Sequence, residues 1–103
     1  MKKLIAIMSL CLVLGTGAAI ATAAEDGASL YRMCAGCHGA DGSKLAMGVG
    51  EPIKGQSAEQ LYKNMKGYLD GSFGGSKKSV MINIMKRLND EQIKTLADHI
   101  AKF

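Results

Sequence analysis

The side chains best suited to do chemistry in this chain stand together in Cys34-Ala35-Gly36-Cys37-His38. In an exported protein, Cys-x-x-Cys-His is the attachment signature of a c-type haem: two thiols form thioethers to the vinyl groups and the adjoining imidazole ligates the iron. The spacing has a geometric reason. Two intervening residues set the sulfurs about one helical turn apart, matching the two vinyl positions, and the next residue then lies under the ring centre. Two other chemistries compete for the same pentapeptide, a redox dithiol and half of a metal site. A thiol-disulfide oxidoreductase built on Cys34 and Cys37 calls for an alternating strand and helix pattern, and this chain lacks one.

With His38 in one axial position, the occupant of the other decides what the iron can do. A thioether sulfur there saturates the iron, favours the reduced state relative to two histidines and leaves no open site for oxygen or substrate. Beyond the N-terminal stretch the methionines are Met33, Met47, Met65, Met81 and Met85. Met33 adjoins an attachment cysteine and cannot reach the opposite face of the ring. Met47 follows His38 so closely that crossing the haem plane leaves little chain. Met65 lies four residues after Leu61 on one helical face and reads as core. Met81 and Met85 share a helical face further on, where the chain has come far enough round to approach the side opposite His38. Spacing alone does not separate them, and methionines so spaced are usually plain core. His99 reads as a surface or boundary histidine, not as a second ligand.

The chain around this motif begins with an address tag. Lys2 and Lys3 make a basic start, Leu4 to Leu14 is an apolar run, and Ala21-Thr22-Ala23 is an Ala-x-Ala cleavage site, so residues 1–23 are expected to be a signal peptide cut after Ala23 on export to the periplasm. The apolar run is shorter than the roughly 20 residues of a spanning helix. Leu10 stands where a lipoprotein signal before Cys11 needs a small residue. Residues 24–103 then form one domain, small enough to need a staple. Cys34 and Cys37 are its only cysteines, so there is no disulfide framework, and a covalently held, largely apolar haem supplies the missing core.

Charge says little about partners. Setting aside Lys2 and Lys3, the 13 basic residues become 11 against 9 acidic, a net +2 that ionised haem propionates roughly cancel. No arginine cluster or aromatic-interleaved basic stretch points to nucleic acid.

Four short helices are expected. Asp26 caps the first, which carries Leu30 and Tyr31 toward the motif and is ended by Gly36 and Gly39. Gly39 to Gly55, with the only proline, Pro52, reads as an irregular loop over the haem edge. Ser57 and Gln60 form a capping box for a second helix that carries Leu61, Tyr62 and Met65, turns Lys63, Asn64 and Lys66 to solvent, and stops at Gly67. Tyr68 to Gly75 is too glycine-rich for a helix, and Phe73 in it is either an edge-covering aromatic or loop packing. Ser76 or Lys77 opens a third helix with Val80, Met81, Ile84, Met85 and Leu88 at helical intervals. Asn89 caps a fourth, with Gln92 three residues on, Asp90 and Glu91 in its first turn, a buried stripe of Ile93, Leu96, Ala97 and Ile100, and Lys102 closing it.

Several stretches together resemble the class I c-type cytochromes, and among them the small single-haem cytochromes c-553 of sulfate-reducing bacteria. They include Cys34 to Ser43, Met47-Gly48, Lys54-Gly55-Gln56, Met65-Lys66-Gly67-Tyr68, Asp70-Gly71-Ser72, Gly74-Gly75 and Leu96-Ala97-Asp98. The resemblance spans nearly all of residues 25–103. It implies the all-α cytochrome c fold, one haem c held by thioethers at Cys34 and Cys37, and axial ligands His38 and Met81. It also implies that the Pro52 carbonyl accepts a hydrogen bond from the outer nitrogen of His38, and that Tyr68 neighbours the haem. Leu88 stands where the family pattern has a tyrosine.

The resulting expectation is a soluble, monomeric, periplasmic electron carrier and not an enzyme, exchanging electrons with redox proteins such as a periplasmic dehydrogenase or a terminal reductase or oxidase. Lys44, Lys77, Lys78, Lys86 and Arg87 are candidates for a basic rim that orients an acidic partner; a merely solvated face is the alternative. A subunit of a larger redox complex would share this sequence almost unchanged, whereas a haem enzyme or gas sensor would need an open iron.

Overall fold

The computed structural model describes residues 26–103; the expected signal peptide, with its Ala23 cleavage point, lies outside the described residues. Among these the fold is all-α, in the order α1 (Gly27–His38), a short 3-10 turn (Ala46–Gly48), α2 (Ala58–Asp70), α3 (Lys78–Met85) and α4 (Asp90–Ile100), with no strand. No described helix is long and apolar enough to cross a membrane.

Three of the four helices start where a side chain satisfies a free amide, and α3, which follows Lys77, has no side-chain cap. Asp26 accepts from the Ser29 amide at 2.8 Å, and burial of its carboxylate is slight enough that this bond holds its pKa below the usual range. Asn89 and Gln92 form a complete reciprocal box, at 2.8 and 2.9 Å. The box expected at Ser57 is only half made. Ser57 Oγ accepts from the Gln60 amide at 3.1 Å, but the Gln60 side chain turns away to donate to Asn64.

Two helix ends differ from expectation. Gly36 lies inside α1, which ends at Gly39, whose amide donates to the Ala35 carbonyl at 2.9 Å. Gly67 does not stop α2. The helix runs on through Tyr68 to Asp70, and Gly71, at φ 82°, supplies the left-handed turn. Gly67 is glycine for a different reason: a Cβ there would lie 2.6 Å from Cβ of Phe73, which folds back over the helix and donates its amide to the Gly67 carbonyl. A ring pair between Tyr68 and Phe73, 5.2 Å apart and edge-on, holds that return.

The buried stripes then meet. Leu30, Tyr31 and Cys34 from α1, Leu61 and Met65 from α2, Met85 from α3, and Ile93, Leu96, Ala97 and Ile100 from α4 make one apolar cluster, in which each large side chain contributes about 1.5–3 kcal/mol by leaving water. The last helix packs against both α1 and α2, and α2 also against α3. Tyr31 anchors the α1 end of this arrangement: its hydroxyl donates to the Gly39 carbonyl at 2.6 Å and its ring meets Phe103 edge-on at 4.8 Å. His99, half-buried as expected, packs on the same two rings. Across the surface Tyr62 and Lys66 of α2 both reach Asp90 of α4, at 2.5 and 3.1 Å.

Candidate haem-binding site

The last turn of α1 carries Cys34, Cys37 and His38, and the helix dictates their arrangement. Cys34 faces inward and is buried, Cys37 is exposed to the cavity side, and His38 is half-buried at the helix end. The loop after it is tied down by polar bonds. Asp41 accepts from the Ser43 hydroxyl at 2.6 Å and amide at 3.1 Å, pairs with Lys54 at 3.1 Å, and is held at a pKa of about 2 by those Ser43 and Lys54 contacts. Backbone bonds from Lys44 to His38 and from Lys54 to Gly42, both 3.0 Å, close the loop on itself.

Between this loop, α1, α2, the 71–77 segment and α3 lies a cavity of about 870 Å³, within the range that binds cofactors. Cys34, Cys37, His38 and Met81 all line it, so the four expected attachment and ligand residues, drawn from positions 34 to 81, are brought to one chamber. Tyr68 and Phe73 line it too, which makes Phe73 a cavity-covering aromatic as well as a packing residue. All five methionines of the described chain touch the cavity, so nearness alone selects none of them. Burial differs among them: Met85 has 0% of its surface exposed and belongs to the core, Met65 is likewise core, Met47 is 56% exposed, and Met81 is half-buried. Met47 also stands at φ 54°, an uncommon conformation for a side-chain-bearing residue.

The electrostatics suit a held macrocycle better than a reactive dithiol. Burial pushes the Cys34 thiol up to about 11, with Cys37 adding to the effect, whereas a thiol-exchange cysteine needs a depressed value. Burial also pushes His38 below the ordinary histidine value, keeping the imidazole in the neutral form that ligates metals. Its Nδ1 is buried with no hydrogen-bond partner among the described residues. Apolar walls, two thiols one turn apart and a neutral imidazole fit a haem.

One expected contact is absent. The Pro52 carbonyl accepts from Gln56 Nε2 at 2.9 Å, and His38 does not donate to it. A further correction concerns Asn64, expected on the solvated side of α2: it is half-buried and lines the cavity, with Gln56 and Gln60 beside it. Its position three residues after Leu61 and one before Met65 puts it at the border of the apolar face, a signal that the charged neighbours Lys63 and Lys66 obscure. Of the five basic candidates Lys77 and Lys78 line the cavity, while Lys44, Lys86 and Arg87 are exposed outside it.

A family model described as cytochrome c matches residues 24–103. The chain belongs to the cytochrome c family. It is 56% identical over 102 residues, 99% of each chain, to cytochrome c-553 of Nitratidesulfovibrio vulgaris. It is 45% identical over 78 residues to cytochrome c-553 of Desulfomicrobium norvegicum, covering 75% of this chain and 95% of that one. With cytochrome c-553 of Helicobacter pylori it shares 34% over 100 residues, 97% of this chain and 96% of the other. The cytochrome is therefore a carrier of covalently bound haem c, with Cys34 and Cys37 in the Cys-x-x-Cys-His position of its family.

Proposed function

We propose that this cytochrome is a soluble periplasmic one-electron carrier, exported by a signal peptide at residues 1–23, with thioethers at Cys34 and Cys37 and axial ligands His38 and Met81. The observation that carries the reading is the convergence of those four residues on one predominantly apolar cavity. The bound haem supplies a one-electron couple at its iron. The chain does the rest. Cys34 and Cys37 would hold the macrocycle by thioethers, the 39–55 loop, tied by the Asp41–Lys54 pair, lines one side of the cavity, and burial favours the neutral His38 imidazole. Met81 is favoured over Met85 because α3 holds it half-buried at the cavity wall, while Met85 has no exposed surface and belongs to the apolar core cluster. Export is supported by Lys2, Lys3, the apolar run and Ala21-Thr22-Ala23. Lys77 and Lys78 beside the cavity offer an acidic redox partner, such as a periplasmic dehydrogenase or a terminal reductase or oxidase, a place to orient.

Optical spectra of the purified periplasmic protein, oxidised and reduced, test this. Met81→Ala is expected to abolish the far-red iron-to-sulfur band and lower the reduction potential, while Met85→Ala keeps the band and costs about 2–5 kcal/mol of stability. Loss of the band only in Met85→Ala would overturn the ligand assignment. Rapid carbon monoxide binding by the native ferrous protein would point to an open iron, and co-elution of the native protein with larger chains would point to a complex subunit.

A further inference from the structure

Along one wall of the cavity runs a chain of side-chain amides. Gln60 Nε2 donates to Asn64 Oδ1 at 2.7 Å, Asn64 Nδ2 donates to Gln56 Oε1 at 3.4 Å, and Gln56 Nε2 donates to the Pro52 carbonyl at 2.9 Å. The direction of the chain follows from its last member. A backbone carbonyl only accepts, so Pro52 draws the Gln56 NH2 toward itself, which turns the Gln56 oxygen toward Asn64 and imposes the same order on Gln60. Each amide nitrogen carries two hydrogens and the chain uses one of them. Three N–H groups are left over, on three residues that all line the cavity. Most of the remaining wall is thioether, aliphatic and aromatic and offers such donors nothing to bind, and its one carboxylate, Glu51, is exposed to water. A strip of surplus donors in an apolar chamber suits an anionic group on whatever fills it.

We propose that Gln56, Asn64 and Gln60 receive a propionate of the haem, an inference that rests on the cavity being the haem site. Lys77 and Lys78 line the same cavity and are the competing partners by charge. They are exposed, as is Gln60 at the end of the strip, whereas Gln56 and Asn64 are half-buried and supply the donors at depth. A carboxylate lying partly among apolar groups needs donors at its own depth, because water-facing cations cannot replace the hydration it has lost. The amide strip supplies donors without adding charge. The Pro52 carbonyl is then the acceptor that aims the whole strip.

Holoprotein from cells that mature c-type haem decides the matter. In the unsubstituted ferrous protein, the side-chain amide protons of Gln56 and Asn64 are expected to show nuclear Overhauser contacts to propionate methylene protons, a measurement that does not depend on any variant folding. Gln56→Leu with Asn64→Leu is expected to shift the propionate bending band in the resonance Raman spectrum, and Lys77→Gln with Lys78→Gln to leave it in place. Absence of the contacts, a band unmoved by the amide substitutions, or a band moved by the lysine pair instead would overturn the proposal while leaving the haem site intact. A colourless protein from the same cells would overturn the haem reading itself.

Discussion

Cys34 and Gly67 illustrate how much of this molecule turns on single positions. Burial at Cys34 raises the thiol to about 11, so in this fold it is a protonated, poorly nucleophilic group among apolar neighbours, and thiol exchange at neutral pH is disfavoured. Gly67 sits where α2 and the returning Phe73 nearly touch. Alanine there gains about 1 kcal/mol of helix propensity, but its Cβ would lie 2.6 Å from Cβ of Phe73, an atom anchored to backbone. Overpacking costs about 1–3 kcal/mol, so the clash outweighs the propensity. Gly67→Ala is expected to be less stable in urea titration, and a more stable variant would refute the close approach.

Among the elements, the two N-caps that look alike in sequence differ in structure. Asn89 makes both bonds of its box, and Ser57 makes one. Replacing Asn89 by alanine is expected to cost about 1–2 kcal/mol, and replacing Ser57 less; equal losses in urea midpoints would contradict the half-made box. The 39–55 loop adds a pH dependence. Asp41 is lowered from 3.8 to about 2 by Ser43 and Lys54, so its contribution is present above the unfolded value and lost as pH falls through the folded one. Thermal scans between pH 4 and about 2 should show a decline that flattens in Asp41→Asn. A variant melting with the same acid slope as the native protein would show that another carboxylate governs it.

At the scale of the whole molecule, charge is segregated. From Gly71 to Asn89 there are four cations, Lys77, Lys78, Lys86 and Arg87, and no acidic residue, while α4 opens with Asp90 and Glu91. The net charge of +4 is unevenly distributed, and orientation of a partner depends on distribution. Lys77→Gln with Lys78→Gln is expected to slow electron exchange with an acidic redox protein by about tenfold at low salt, and to make little difference near 1 M, where the Debye length is about 3 Å. Stopped-flow rates across ionic strength check this, and an unchanged low-salt rate would place docking elsewhere. The same scale explains the dependence on cofactor. Among the described residues the apolar core is small, and four of its members, Cys34, Met65, Met85 and Ile100, line the cavity, so Cys34→Ser with Cys37→Ser is expected to yield a chain with little helix by circular dichroism.

By itself the sequence determined what neighbours in the chain can settle: the pentapeptide and its chemistry, the helix starts at Asp26, Ser57 and Asn89, and the stripe of Ile93, Leu96, Ala97 and Ile100, because capping and helical periodicity act over three or four residues. It misplaced the end of α2, since Gly67 reads locally as a terminator and only the packing of Phe73 makes it an interior contact. It also gave Asn64 to solvent and the Pro52 carbonyl to His38. Those assignments depend on which residues distant in sequence meet across the cavity, and only the assembled helices decide that: they bury Met85 completely, leave Met81 half-buried, and bring Gln56, Gln60 and Asn64 into one directed strip.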